Sequence, residues 1–279
     1  MTRKRRPWLS VLVWLAISFV TLFPIYWLFV ISVKPAVDLF TTPEVILTSF
    51  YWDNYAEVLG DDTLRRYMWN SIIISTGNAI LVTVLGFMAC YALSRYNLGG
   101  KESIFFWTIT NRMAPPAVFL LPFFLLLTQV FRIGDFSLYD SRIGMILIYC
   151  TFNLPFAIWT LRPTVEAIPR ELDEAAFVDG ASTFQVITRV ILPLARPGLA
   201  VTLILTWVFA WNEFLLAATL TSFNARTLTT GLSEYVTTTG TEWGIMAAIA
   251  MITLIPALIV FSVVQRHIVA GLTFGAVKV

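Results

Sequence analysis

One histidine and two cysteines serve a chain of 279 residues. Charge is scarce too: 13% of residues are Asp, Glu, Lys or Arg, against about 25% in a soluble domain. Each shortage removes a class of function. Cys90 and Cys150 lie in separate apolar runs and read as small buried hydrophobes, not as a disulfide. His267, beside Arg266, reads as a solvated interfacial residue. With no H-E-x-x-H and no paired cysteines, no zinc site is expected. A formal charge of +2 gives nucleic acid no electrostatic footprint. The phosphate-binding pattern G-x-x-x-x-G-K-[ST] is missing. Gly100-Lys101 comes nearest, but Glu102 follows it and Arg95 occupies the place of the first glycine. No internal repeat is visible, and no nucleophile–base constellation that would serve an intramembrane enzyme.

What is abundant is apolar surface. Hydrophobic residues make up 58%, with 22 Phe and 10 Trp, and the mean hydropathy is +0.78. So much apolar area needs lipid as well as a core. Six stretches approach the roughly 20 residues that cross a bilayer. They lie near Trp8–Val33, Ser71–Leu93, Ile104–Val130, Ile143–Leu161, Leu199–Leu220 and Ile245–Val264. The opening MTRKRRPW suggests a secretory signal, but no small-residue cleavage site follows. Phe23-Pro24-Ile25-Tyr26-Trp27 continues the run, which reads as an uncleaved first span. Arg3, Lys4, Arg5 and Arg6 should stay in the cytoplasm, and six spans then place both termini there. The loops near 34–70 and 221–243 fall outside, where most of the acids also fall. The expected fold is an all-α membrane protein, one transmembrane domain over residues 1–279. A polar segment, about 165–197, then lies in the cytoplasm between spans four and five.

That segment has the grammar of two short helices. Pro169 suits a helix's first turn, and Leu172, Ala175 and Ala176 share one face. Glu171, Asp173 and Glu174 favour the positive end of the dipole. Gly180 suits a left-handed cap. Ser182 and Gln185 have capping-box spacing. Pro193 and Pro197 are expected to end the second helix, because proline donates no backbone bond. The result is a helix–turn–helix.

Glu174-Ala175-Ala176, Gly180 and Val190-Ile191-Leu192-Pro193 stand at the spacing EAA-x3-G-x9-I-x-L-P, with Val190 for isoleucine. This resembles the cytoplasmic motif of permease subunits in binding-protein-dependent ABC importers. Arg112-Met113-Ala114-Pro115-Pro116, Trp211-Asn212-Glu213 and the closing AGLTFGAVKV resemble the carbohydrate, maltose-type branch. The resemblance implies a permease subunit in the bacterial cytoplasmic membrane. A carbohydrate would arrive on an extracytoplasmic binding protein. Half of the path would come from a second permease subunit, a different chain. Two separate ATPase subunits would hold ATP and Mg, so this chain binds no cofactor and is no enzyme. It further implies that Glu174, Ala175, Ala176, Asp179, Gly180, Leu192 and Pro193 couple to those ATPases. The tail Gly271–Val279 resembles one that reaches between them, or is a frayed terminus. The alternative, a stand-alone secondary carrier or channel, calls for repeats and intramembrane acids.

Polar groups and breaks within the spans give candidates for the translocation path. Arg112 is costly in lipid unless paired or wetted. It either faces the path or bonds carbonyls freed by Pro115 and Pro116, and Asn111 adds a second polar group. Pro115-Pro116 should kink or unwind span three. Trp211, Asn212 and Glu213 fall toward the outer end of span five, where Glu213 is a candidate gate or cavity wall. Tyr149 and Asn153 offer an aromatic face and an amide that suit a sugar.

Overall fold

A computed structural model describes residues 7–41, 49–133, 136–237 and 240–274. The basic start at 1–6 and the tail residues 275–279 lie outside the described residues, as does the His267 side chain. The chain is helical: α1 (Pro7–Ser32), α2 (Asp38–Thr41), α3 (Asp53–Gly60), α4 (Asp62–Arg95), α5 (Lys101–Met113), α6 (Leu120–Leu125), α7 (Arg142–Glu166), α8 (Glu171–Val178), α9 (Thr183–Gln185), α10 (Leu192–Trp211), α11 (Leu215–Leu220), α12 (Leu228–Leu232) and α13 (Trp243–Phe274). Two antiparallel pairs of two-residue strands interrupt it, β1 (Arg132–Ile133) with β2 (Phe136–Ser137) and β3 (Val236–Thr237) with β4 (Gly240–Thr241).

Five helices among the described residues are long and apolar enough to cross a membrane. A bent pair, Lys101–Met113 with Pro116–Val130, turns through 89° and makes a sixth if the two halves count as one span. The kink or unwinding expected of span three at Pro115-Pro116 is found at that point. Ala114 and Pro115 are extended, and Pro116 starts a 3-10 turn over Pro116–Phe119. Two successive residues without N–H groups leave α5 no way to propagate.

Span five departs from expectation at both ends. Neither Pro193 nor Pro197 stops the second helix of the polar segment. The helix runs from Thr183 to Trp211, passing through a π turn at Val186–Ile191. In an α-helix the proline ring would meet the carbonyl four residues back. The wider π turn offsets those carbonyls, and the Leu192 N–H bonds the Ile187 carbonyl five residues back. Local π adjustments of this kind re-satisfy a helix around proline. At the other end the expected span to Leu220 breaks after Trp211, and α11 restarts at Leu215.

The chain divides into two compact units, residues 1–65 with 231–255 and residues 66–230 with 256–279. In the first, the end of α1 is held by α3. Asn54 is buried and donates to the carbonyls of Ser32 (3.0 Å) and Lys34 (3.1 Å), and Tyr55 shares a 2.8 Å hydrogen bond with Ser32 Oγ. These bonds satisfy carbonyls that a helix C-terminus leaves open. Upstream, apolar side chains from Trp8 to Tyr26 are exposed along α1, as on a helix whose solvent is lipid.

In the second unit, α7 packs against α5 and α10. Gly198 makes the α7–α10 approach possible: a Cβ there would lie 2.2 Å from Thr164 Oγ1. Small residues serve helix contacts in membranes in this way. One core cluster gathers Phe87, Tyr91, Phe105, Leu161, Val186 and Ile191, and places the polar segment's base on the ends of α4, α5 and α7. A second gathers Ile74, Phe123, Met145, Tyr149 and Leu216.

Candidate functional site

The turn after α8 is built from backbone bonds that glycine permits. Gly180 has φ +83°. Its N–H bonds the Phe177 carbonyl at 3.0 Å, and the Ala181 N–H bonds the Ala176 carbonyl at 2.9 Å. This pairing is the Schellman arrangement, which satisfies the last carbonyls of a helix. Ser182 then opens the next helix with a full capping box. Its N–H bonds Gln185 Oε1 at 2.8 Å, and its Oγ accepts from the Gln185 N–H at 3.4 Å. One helix ends and the next begins with only Asp179 to Ser182 between them.

Of the residues expected to couple, Glu174, Ala175, Asp179, Gly180 and Leu192 are exposed, while Ala176 and Pro193 are half-buried. Ala176 packs on the core cluster beneath. Helix α8 ends on a large exposed apolar group, Val178 at 87% exposure, whereas Phe184 lines an apolar hollow with Val84, Met88 and Leu199. A patch that joins carboxylates, small residues and a bare apolar side chain has the composition of a contact surface.

Sequence reasoning missed what holds α8 in place. Asp173, read only as a dipole partner, is buried, and its Oδ2 lies 2.6 Å from Arg95 Nε. Arg95 also donates from Nη2 to the Ile168 carbonyl at 2.9 Å, and Arg170 donates to the Ser94 carbonyl. Beside them, Arg162 grips Glu102 with Nη2 at 2.7 and 2.9 Å and stacks over Phe105 at 4.0 Å. The one available signal was an arginine ending an apolar run.

The path candidates separate. Arg112 donates from Nη1 to the Phe152 carbonyl at 2.9 Å and lies between the rings of Phe156 (4.5 Å) and Phe209 (4.4 Å). Its acceptor is thus on α7, not among the carbonyls freed by Pro115 and Pro116. Asn111 beside it is half-buried, and Pro115 is exposed. Tyr149 and Asn153 are interior. Asn153 donates from Nδ2 to Asn78 Oδ1 at 2.7 Å, and Asn78 donates to the Ile146 carbonyl at 2.9 Å. Tyr149 is 2% exposed. In this conformation neither offers a face to a solute. Trp211 is buried and stacked on Trp207 at 4.8 Å. Glu213 is half-buried, and its carboxylate accepts from the N–H groups of Leu216 (2.9 Å) and Ala217 (3.1 Å). It therefore caps α11 and causes the break in span five. Asn212 is exposed and donates from Nδ2 to the Val208 carbonyl at 2.8 Å.

A second tie escaped the sequence. Asp140 has φ +50°, a region that aspartate tolerates better than most residues. Its carboxylate accepts the backbone N–H groups of Ser222, Phe223, Asn224 and Ala225 at 2.9–3.0 Å. Burial pushes the Asp140 carboxyl up, but the four N–H donors outweigh it and hold the group below its usual value. The linkage then has one sign. The tie contributes fully above the unfolded value, about 3.9, and is lost as pH falls through the lower folded value. Protection from hydrogen exchange at 222–225, taken relative to the intrinsic rate at each pH, should hold from neutral pH to about pH 4 and fall as pH drops further through the folded value. Asp140→Ala should show low protection at every pH. Undiminished protection in that variant would refute the tie.

The comparisons agree with this architecture. Residues 83–273 match the family described as "Binding-protein-dependent transport system inner membrane component". The trehalose transport system permease protein SugB of Mycobacterium tuberculosis is 35% identical over 285 residues, covering 100% of both chains. The diacetylchitobiose uptake system permease protein NgcG of Streptomyces coelicolor is 30% identical over 264 residues, covering 94% of this chain and 85% of the relative. In fold, the chain is similar to one from the crystal structure of a bacterial ABC transporter involved in the import of the acidic polysaccharide alginate. The TM-score is 0.77 at 22% identity, over 96% of this chain and 99% of the other. A bent third span, a π-threaded fifth and the spaced motif around Gly180 thus meet in a chain that belongs to the binding-protein-dependent transport system inner membrane components.

Proposed function

We propose that this chain is the permease subunit of an ATP-driven carbohydrate importer. It forms half of the path, with a second permease subunit of different sequence as the other half. Both termini and the segment around α8 lie in the cytoplasm, and an extracytoplasmic binding protein delivers the solute to the opposite face. ATP and Mg belong to two separate ATPase subunits. The trehalose and diacetylchitobiose systems named among the relatives support a sugar or oligosaccharide as solute.

The exposed patch of α8 and its turn carries the reading. Glu174 presents a carboxylate to a partner arginine, a charge-assisted bond stronger than a neutral one. Ala175 lets a second surface approach closely. Val178 supplies apolar contact. Because the helix passes through Val186–Ile191 into α10 without a stop, a push on the turn travels into the membrane along a rigid rod. Drawing two such segments together would rotate the spans and turn the cavity outward, a rigid-body change.

Glu174→Ala should insert normally. It should lose the ATPase subunits on purification, or keep them with uptake reduced about tenfold or more, the worth of one charge-assisted bond. Growth on a panel of sugars and polyols as sole carbon source identifies the solute and reads the loss. Undiminished growth and an intact complex in this variant would remove α8 from the coupling.

A further inference from the structure

Glu174 and Asp173 are neighbours with opposite fates. Glu174 is exposed, whereas Asp173 is 5% exposed. The Asp173 and Arg95 side chains, 7% and 8% exposed, form an ion pair at 2.6 Å. Arg95 is the last residue of α4, where the negative end of the helix favours a cation. Its Nη2 reaches back to the Ile168 carbonyl just before α8, and Arg170 reaches the opposite way to the Ser94 carbonyl. Three interactions, running in both directions, bind the base of α8 to the end of α4. By contrast, the covalent link from α7 to α8 passes through the non-helical residues 167–170, including Pro169.

We propose that the Arg95–Asp173 pair is the joint through which displacement of α8 reaches α4, which makes both positioning residues for the coupling. The proposal rests on the coupling reading above. An exposed ion pair can part into water at little cost. This one is sealed, and separating it strands a buried charge, so α8 and the end of α4 move as one piece. A push at the turn then divides. One share follows the continuous helix into α10, and the other crosses the ion pair into α4. Both spans are driven together.

The test uses the full transporter in lipid, with Cys90 and Cys150 replaced by serine. Spin labels are placed at Glu171→Cys and Tyr96→Cys, both exposed positions, and a further label on the ATPase subunit. With the pair intact, the 171–96 distance should hold within about 2 Å with and without ATP–Mg, while the distance from 171 to the ATPase changes. In Asp173→Asn the 171–96 distance should shift by more than that on adding ATP–Mg, and uptake should fall. Asp173→Glu, which keeps the charge, should restore most of both. Should Asp173→Asn fail to assemble, Arg95→Gln gives the same readout, because it removes the charge from the other side of the pair. A 171–96 distance that changes in the parent protein, or that stays fixed in Asp173→Asn, overturns the joint. A parent protein whose 171-to-ATPase distance ignores ATP–Mg sinks the coupling reading and this one with it, a result distinct from either of those.

Discussion

Gly144→Ala is expected to destabilise the unit that contains α7 more than any other small-residue substitution in α7. A Cβ at this position would lie 2.1 Å from the Leu138 carbonyl oxygen and 3.0 Å from Ser141 Oγ. The obstacle is backbone, so no rotamer change relieves it. Ser141 caps α7 by accepting the Gly144 N–H at 3.0 Å while donating to the Leu138 carbonyl at 2.7 Å. Moving Leu138 therefore breaks the cap and drags Asp140 away from residues 222–225. Overpacking alone costs about 1–3 kcal/mol, and the lost cap adds about 1 more. Melting in detergent should fall by about 5 °C or more, with less protein in the membrane. Gly77→Ala is the control. Its Cβ would meet Ile146 Cδ1 at 2.7 Å, the far end of a flexible side chain, so its melting temperature should stay near that of the parent. Equal stability in the two variants would show that the turn is free to move.

Gly180→Pro should uncouple ATP hydrolysis from uptake, or release the ATPase subunits, without disturbing insertion. Nothing lies within 4 Å of a Cβ at this position, so space is not the constraint. Conformation is: proline fixes φ near −65°, and the turn requires +83°. Proline also deletes the N–H that bonds the Phe177 carbonyl. The Schellman turn cannot form, and α8 loses its angle to the helix starting at Thr183. Gly180→Ala separates the two causes. It retains the N–H and meets only the left-handed penalty, about 1–2 kcal/mol, so it should couple partially. Uptake, ATP hydrolysis and subunit retention should be measured on all three proteins. Full uptake by Gly180→Pro would mean that the turn's geometry does not matter.

Both predictions concern features of different legibility. The turn at Gly180 and the box from Ser182 to Gln185 were readable, because each bond spans three to five residues and the residue types enforce it. The bend at Pro115-Pro116 was readable for the same reason. Proline at 193 misled, because the rule for its clash assumes α-helical carbonyl positions, and the π turn supplies others. The break after Trp211 gave no warning. No glycine or proline marks it, and the Glu213 side chain makes it by taking N–H groups that α10 would otherwise have continued to use.

The sequence by itself determined the apolar spans, the polar segment between the fourth and fifth, and the local turn that makes that segment a compact, exposed knuckle. Hydropathy, capping and glycine conformation act over a few residues and survive in any fold. Only the tertiary structure decided that Asp173 is buried against Arg95, that Asp140 is gripped by residues 222–225, that Arg112 lies between rings from α7 and α10, and that Tyr149 and Asn153 face inward. Each of those depends on which helices become neighbours, and a charged side chain carries no mark of the partner it will meet.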